Sequence, residues 1–468
     1  MKDKKRALML HSLYDHTGIA RYLEDQAARG WQLEKLGQWG WVFHRAEPKQ
    51  LHYAVTYFPK ASVYDPGPSE DQQVLQDYCA AAGWELVTTN GQMQIFVSEA
   101  EDPPPVETDP AVQVANIHRA MRRSFLPSYL VLMVLSGFLF AMLVWQLWTD
   151  PIDLLTSTNN FFTAFFWTLL FVLCLVETLG YLRWHRRAKV AARDGCFLPV
   201  RSHRRFQATA FVLVLLGLAA WILASVLDSR RGLVFALCGI VYAAVLFGSV
   251  RLIMWFLKWR KVSAKVNRVV TLLSSVVVSL LCMTALVIGI LRMDTGWLGE
   301  HQGAETYTWY GMTWDVYRDQ LPLTVEDLTD VEGADWYSYE WSGDSSPLLS
   351  RMECRQRPRL DAPESPRLPE LEYELLKVRV SLFYDLCKRD FIQWAEQHND
   401  EIPQAYWDVY QPVDPTPWGA EEVYQLYRAG EPSDQYLVCW PDRILEINFG
   451  WTPTAEQCAT AAEKLRNV

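Results

Sequence analysis

The chain has 468 residues, with 44 Lys/Arg against 54 Asp/Glu and a formal net charge of −10. Half of the residues are hydrophobic and 13% are aromatic, which excludes a disordered chain, and the acidic balance argues against direct nucleic-acid binding. The charge is unevenly placed: residues 1–125 are net −3, residues 126–292 net +12 and residues 293–468 net −19, so the average conceals three unlike parts.

Residues 1–100 read as a small α+β domain. The start, MKDKKRALMLHS, is basic, but its apolar run is only Ala7–Leu10, too short for a signal peptide or an anchor. Residues 17–46 and 70–99 look like a duplicated unit, with Gly30-Trp31 and Gly83-Trp84 lying 53 residues apart. Each unit reads as a helix, a glycine stop and a hairpin. Thr17 and Ser69 suit the N-cap, and Gly30 and Gly83 suit the left-handed position after the last turn. Trp31 and Trp84 are expected at helix ends, packed under their hairpins. Asn90-Gly91 between alternating segments is a hairpin signal. Leu51–Phe58 alternates and is expected as an extra strand of the first unit, giving one sheet with two helices on one face. His11, Asp15 and His16 fit no standard metal-ligand spacing and read as a turn before the first helix.

The run HTGIARYLEDQAARGWQLEKL, followed by FHRAEPKQLHYAVTYFP, resembles bacterial membrane proteins of the domain of unknown function family 2812 (DUF2812). The resemblance covers roughly residues 8–100. It implies a bacterial cytoplasmic membrane and, because such proteins often stand beside PadR-type transcription regulators, a regulatory role. The family has no established activity, so the resemblance brings no functional residues.

Glu101–Pro110 is a Pro-rich linker, and Asp109 with Pro110 can start a basic juxtamembrane helix within residues 101–125. Val114, Ile117 and Met121 share one face of that helix. Arg119, Arg122 and Arg123 either follow the positive-inside rule or help the helix lie on anionic lipid.

Five apolar runs follow, each of about the 20 residues that a lipid crossing requires. They are 126–148, 161–182, 207–227, 233–257 and 269–291, within a membrane segment 126–292. The positively charged flanks number 16 on one side of these runs and 3 on the other. The basic side is expected to be cytoplasmic, which places the N-terminal domain inside. Five crossings then place residues 293–468 outside. Trp145, Trp148, Trp184, Trp259 and Trp297 lie near run ends, as interfacial aromatics do.

Glu177 and Arg251 are the charges deepest in the runs, both roughly 9–10 Å inside the same boundary at 1.5 Å per residue. Two readings stand: an intramembrane ion pair, or a snorkelling Arg251 beside a protonated Glu177.

Residues 293–468 read as an acidic extracytoplasmic α+β domain. Leu371–Val380 alternates as a strand, and Leu382–His398 has helical spacing. Trp418–Arg428 also reads as a helix, stopped near Gly430. Tyr436–Trp440 and Ile444–Phe449 form an expected hairpin, Thr454–Leu465 a closing helix capped by Thr452 or Thr454, and 361–369 a loop. Cys354, Cys387, Cys439 and Cys458 are expected as buried thiols, with Cys439–Cys458 the pairing favoured if one forms.

No GxxxxGK[ST], HExxH, GxSxG or CxxC occurs, so neither enzymatic activity nor a cofactor or metal is expected. A folded domain on each side of a lipid-embedded bundle is what a signal relay needs. The alternative is a transporter subunit or accessory protein, against which stand the lack of an inverted repeat and the few midplane charges. The expected partners are the lipid bilayer and a cytoplasmic regulatory protein, with no direct contact to nucleic acid. The extracytoplasmic ligand is not legible.

Overall fold

The computed structural model describes residues 3–8, 10–37, 40–228, 230–293, 305–331, 334–362, 368–397, 399 and 403–468. Trp297, His398 and residues 363–367 of the expected loop lie outside them. The chain divides into two compact units: residues 1–140, 165–222 and 233–289 form the first, and residues 141–164, 223–232 and 290–468 the second.

In the first unit the repeat is fuller than the sequence indicates. Strand β1 (Lys4–Ala7), helix α1 (His16–Ala28) and strands β2 (Trp31–Gly37) and β3 (Gly40–Arg45) are followed by β4 (His52–Tyr57), α2 (Glu70–Ala81), β5 (Glu85–Asn90) and β6 (Met93–Ser98). They build two three-stranded antiparallel sheets of matching order, β1-β3-β2 and β4-β6-β5. Two corrections follow. The segment around β4 does not extend the first unit: the basic N-terminus already covers the edge of β3, so β4 pairs with β6 of the second hairpin. There are two sheets rather than one. The duplication reaches into the irregularities, because the register shifts at Leu33/Lys35 and again at Leu86/Thr88, 53 positions on.

Gly30 and Gly83 take φ of +79° and +85°, the left-handed conformation expected of residues that stop helices. The two tryptophans differ: Trp84 is buried and donates from Nε1 to the Pro104 carbonyl at 2.8 Å, whereas Trp31 is half-buried beneath the Lys5 ammonium. Ser69 caps α2 as expected, but Asp15, not Thr17, caps α1.

Asp109 caps α3 (Pro110–Arg123), with Pro110 in its first turn. Val114, Ile117 and Met121 are buried in the same core as α1 and β2–β4, so the apolar face of α3 packs on protein and is not free to lie on lipid.

Five helices are long and apolar enough to cross a membrane: Phe125–Thr149, Thr158–Arg193, Arg204–Val226, Leu237–Trp259 and Ala264–Gly289. They lie in α4 (Phe125–Thr149), α6 (Thr158–Arg193), α7 (Arg204–Asp228), α8 (Arg230–Trp259) and α9 (Ala264–Met293), and α5 (Pro151–Thr156) is a short turn of helix between the first two. Side chains such as Leu281, 64% exposed, face outward on these helices, an arrangement that lipid accepts and water does not. The chain is a multi-pass membrane protein. Within the first unit, close approaches link α4 to α6, α6 to α7 and α7 to α8. Tyr242 and Ser279 join α8 to α9 at 2.7 Å.

The second unit is built on a seven-stranded antiparallel sheet. A separate hairpin, β7 (Glu305–Trp309) and β8 (Met312–Val316), precedes it. The sheet strands are β9 (Tyr337–Ser345), β10 (Leu349–Pro358), β11 (Leu371–Val378), β12 (Asp408–Val413), β13 (Glu422–Arg428), β14 (Glu431–Trp440) and β15 (Arg443–Phe449), in the order β12-β13-β14-β15-β11-β10-β9. Both faces are covered. Helix α11 (Ala455–Arg466) buries Cys458, Ala461, Ala462 and Leu465 on one face, and α10 (Tyr384–Glu396) buries Cys387 and Phe391 on the other. Thr454 caps α11 in a capping box with Gln457.

The expected helix over Trp418–Arg428 is a correction: it is one turn of 3-10 helix, Thr416–Trp418, and then strand β13. Val423 faces the core under α11 and Leu426 the core under α10, so burial on both faces produced a spacing of three that imitates a helix. All nine cysteines are free. Cys439 and Cys458 belong to cores on opposite faces of the sheet, which keeps them apart.

Candidate functional site

Each unit ties a folded domain to the ends of the membrane helices that belong to it. In the first unit the joint is the segment His11–Gly18. Asp15 is fully buried. Its Oδ1 accepts from the Gly18 backbone N–H at 2.9 Å, and its Oδ2 lies 3.5 Å from His11 Nδ1. Burial works to raise the Asp15 pKa, but hydrogen bonds from His11, Gly18 and Ser202 more than offset it and hold the carboxyl below its ordinary value. Burial lowers the pKa of His16, which favours the neutral ring. Tyr57 donates its hydroxyl to the Leu13 carbonyl and pins the segment to β4.

The same segment grips α6 and α7. The Tyr14 ring lies 5.3 Å from Tyr181 and 6.0 Å from Trp184, both on α6. Thr17 Oγ1 accepts from the Val200 backbone N–H at 3.0 Å in the connection between α6 and α7. Gln207, at the start of α7, donates from Nε2 to Ser12 Oγ at 3.1 Å and to Glu177 Oε1 at 2.8 Å. Helix α3 joins in, with His118 Nδ1 2.7 Å from the Tyr181 hydroxyl and its ring stacked 4.0 Å from that of His185. Asn267, on α9, donates to the Tyr64 carbonyl at 3.0 Å.

These contacts decide the fate of the two deep charges. Glu177 is 1% exposed and takes its hydrogen bond from Gln207. Arg251 stands on the exposed side of α8 with its guanidinium 5.3 Å from the Phe247 ring. Among the described residues no ion pair joins them. Their surroundings differ: Glu177 is buried at the joint with the N-terminal domain, and Arg251 is exposed.

In the second unit the joint is α5, which no sequence signal singled out. Ile152 and Leu155 are buried with Leu349, Leu376, Val378, Cys387 and Phe391, so α5 completes the core beneath α10. The Ser346 hydroxyl donates to the Leu155 carbonyl at 2.5 Å, and Thr158 Oγ1 donates to the Ser345 carbonyl at 2.7 Å. The Arg389 guanidinium stacks 4.0 Å from the ring of Trp148 near the end of α4.

Beside α5 opens a polar cleft of about 490 Å³, lined by seven carboxylates, among them Asp150, Asp153 and Asp390, and by Arg351, Arg355 and Arg428. Its floor has an unusual register. Glu353 of β10 stands opposite Glu374 of β11, and Glu374 opposite Glu446 of β15, so three glutamates form one row across neighbouring strands. Like charges directly opposite one another are unfavourable. Arg351 compensates, with Nε 2.7 Å from Glu374, Nη2 2.8 Å from Glu353 and Nη1 2.5 Å from Asp153 of α5. Tyr410 donates its hydroxyl to Glu446 at 2.7 Å. The sequence shows these carboxylates only as scattered acids, because strand pairing alone aligns them.

Residues 15–129 match the family described as Protein of unknown function (DUF2812). The matched stretch begins at the buried cap Asp15, takes in most of the repeat and the basic helix α3, and ends in the first turns of α4. Comparisons with curated proteins and with solved structures return no match.

Proposed function

We propose that this chain is a signal-transducing membrane protein, in which an outward C-terminal domain senses a condition of the envelope and an inward N-terminal domain engages a cytoplasmic regulatory protein, such as a PadR-type regulator. Residues 1–100 are the inner domain, 126–292 the five crossings and 293–468 the outer domain. The excess of Lys/Arg beside one set of helix ends supports this orientation, in the cytoplasmic membrane of a bacterium.

One observation carries the reading. Helix α6 is continuous over 36 residues, its first residue, Thr158, is bonded to the outer sheet, and Glu177, Tyr181 and Trp184 on its later turns are held by the His11–Gly18 segment and Gln207. A shift of α6 along or about its axis has a protein contact to alter at either end. No catalytic role is assigned to any residue.

The test is in-cell crosslinking of the native full-length protein, followed by identification of what is bound to residues 1–115. A specific cytoplasmic protein whose capture, together with a change in transcriptional output, is lost on deleting residues 1–100 supports the relay. Recovery of lipid and membrane proteins alone would count decisively against it.

A further inference from the structure

We propose that the cleft between α5, α10 and the outer sheet is a proton-binding site, and that protons taken up by its carboxylates tighten the docking of α5. The inference rests on the reading of the C-terminal domain as an outward sensor and names external acidity as its signal.

The geometry concentrates negative charge where the loop between α4 and α6 meets the domain. From α5 and its cap come Asp153 and Asp150, from α10 Asp390, and from the sheet the row Glu353, Glu374 and Glu446, with Glu372 beside it. The opposing cations are Arg351, Arg355 and Arg357 of β10, Arg428 of β13 and Arg389 of α10. Arg351 is divided among three carboxylates, Arg355 lies 3.4 Å from Glu353, Arg357 is bonded to Glu372, Arg428 lies 3.8 Å from Asp408 of β12, and Arg389 stacks on Trp148. Carboxylates therefore outnumber the guanidiniums available to them, and a shared proton relieves the remainder.

The individual groups agree in direction. Burial, with Asp150 opposite, pushes Asp390 up to about 6 against the pull of the Ile152 backbone N–H and Arg389. Burial pushes Glu374 up to about 7 against the pull of Arg351, with Glu353 and Glu446 adding to the rise. Burial also raises Glu446 and Asp150. A carboxyl whose pKa is higher docked than undocked binds more protons when docked. Docking therefore gains as the pH falls through about 7 towards the ordinary carboxylate range, and the gain is lost as the pH rises.

The experiment is hydrogen exchange on the purified full-length protein in lipid nanodiscs between pH 7.5 and pH 5, corrected for intrinsic exchange. Amides 152–156 should gain about tenfold in protection from Asp390 alone. Asp390→Asn should remove that tenfold share, and the Asp390→Asn/Glu374→Gln double variant should gain much less protection than the wild type. If the double variant fails to fold, Asp150→Asn serves instead, because removing the facing charge should move the midpoint to lower pH. A flat wild-type profile, an equal gain in the double variant, or an unmoved midpoint in Asp150→Asn would overturn the site. The measurement needs no cytoplasmic partner, so its outcome is independent of whether the relay reading stands.

Discussion

Ser346 and Leu155, 191 positions apart, are joined by a hydrogen bond from the buried serine hydroxyl to the leucine carbonyl. The same Oγ accepts from the backbone N–H groups of Leu348 at 3.0 Å and Leu349 at 3.2 Å. One hydroxyl thus closes the turn between β9 and β10 and holds the C-terminal end of α5. Ser346→Ala leaves a buried carbonyl and two N–H groups short of a partner, at a cost of about 1–3 kcal/mol. Amides of α5 should exchange faster in this variant while those of α11 on the opposite face stay protected; equal loss in both helices would mean that α5 is not an independently docked element.

Gln207 is expected to matter more than its polarity suggests. It supplies the hydrogen bond to buried Glu177, whose other oxygen has no hydrogen-bond partner among the described residues. Gln207→Leu should lower the melting temperature of the detergent-solubilised protein by the equivalent of about 1–3 kcal/mol. Glu177→Met in the same chain should restore much of that loss, because the orphaned acceptor goes with it. Strict additivity of the two substitutions would show that the pair is not coupled.

The two left-handed glycines should respond unequally. A Cβ on Gly83 meets nothing within 4 Å, so Gly83→Ala should cost about 1–2 kcal/mol for the positive φ alone. A Cβ on Gly30 comes within 2.9 Å of the Ala46 carbonyl oxygen, so Gly30→Ala should be the more damaging substitution. Thermal melting of the two full-length variants ranks them, and the reverse order would place the strain elsewhere.

Cys196 is the exposed cysteine in the connection between α6 and α7. With the basic flanks inside, a membrane-impermeant maleimide should leave Cys196 unlabelled in intact spheroplasts and label it after permeabilisation. Labelling in intact cells would invert the proposed orientation.

The sequence by itself determined whatever depends on neighbours along the chain. Five apolar runs locate the helices that can cross a membrane, because about 20 apolar residues are a local property. Gly30 and Gly83 mark helix stops, Asn90-Gly91 a hairpin and Thr454 a cap for the same reason. Lateral pairing left no such trace. Residues Leu51–Phe58 alternate correctly, yet nothing in them says that β3 is already covered and that β6 is the free edge. Val423 and Leu426 are three apart because each serves a different face of the seven-stranded sheet. Glu177 and Arg251 are equally far from their run ends in sequence, but the rotation of each helix, set by what packs beside it, gives Glu177 to Gln207 and leaves Arg251 exposed. Strand register alone brings Glu353, Glu374 and Glu446 into one row under α5. Burial and charge are then decided by residues far away in sequence, and only the tertiary structure assembles them.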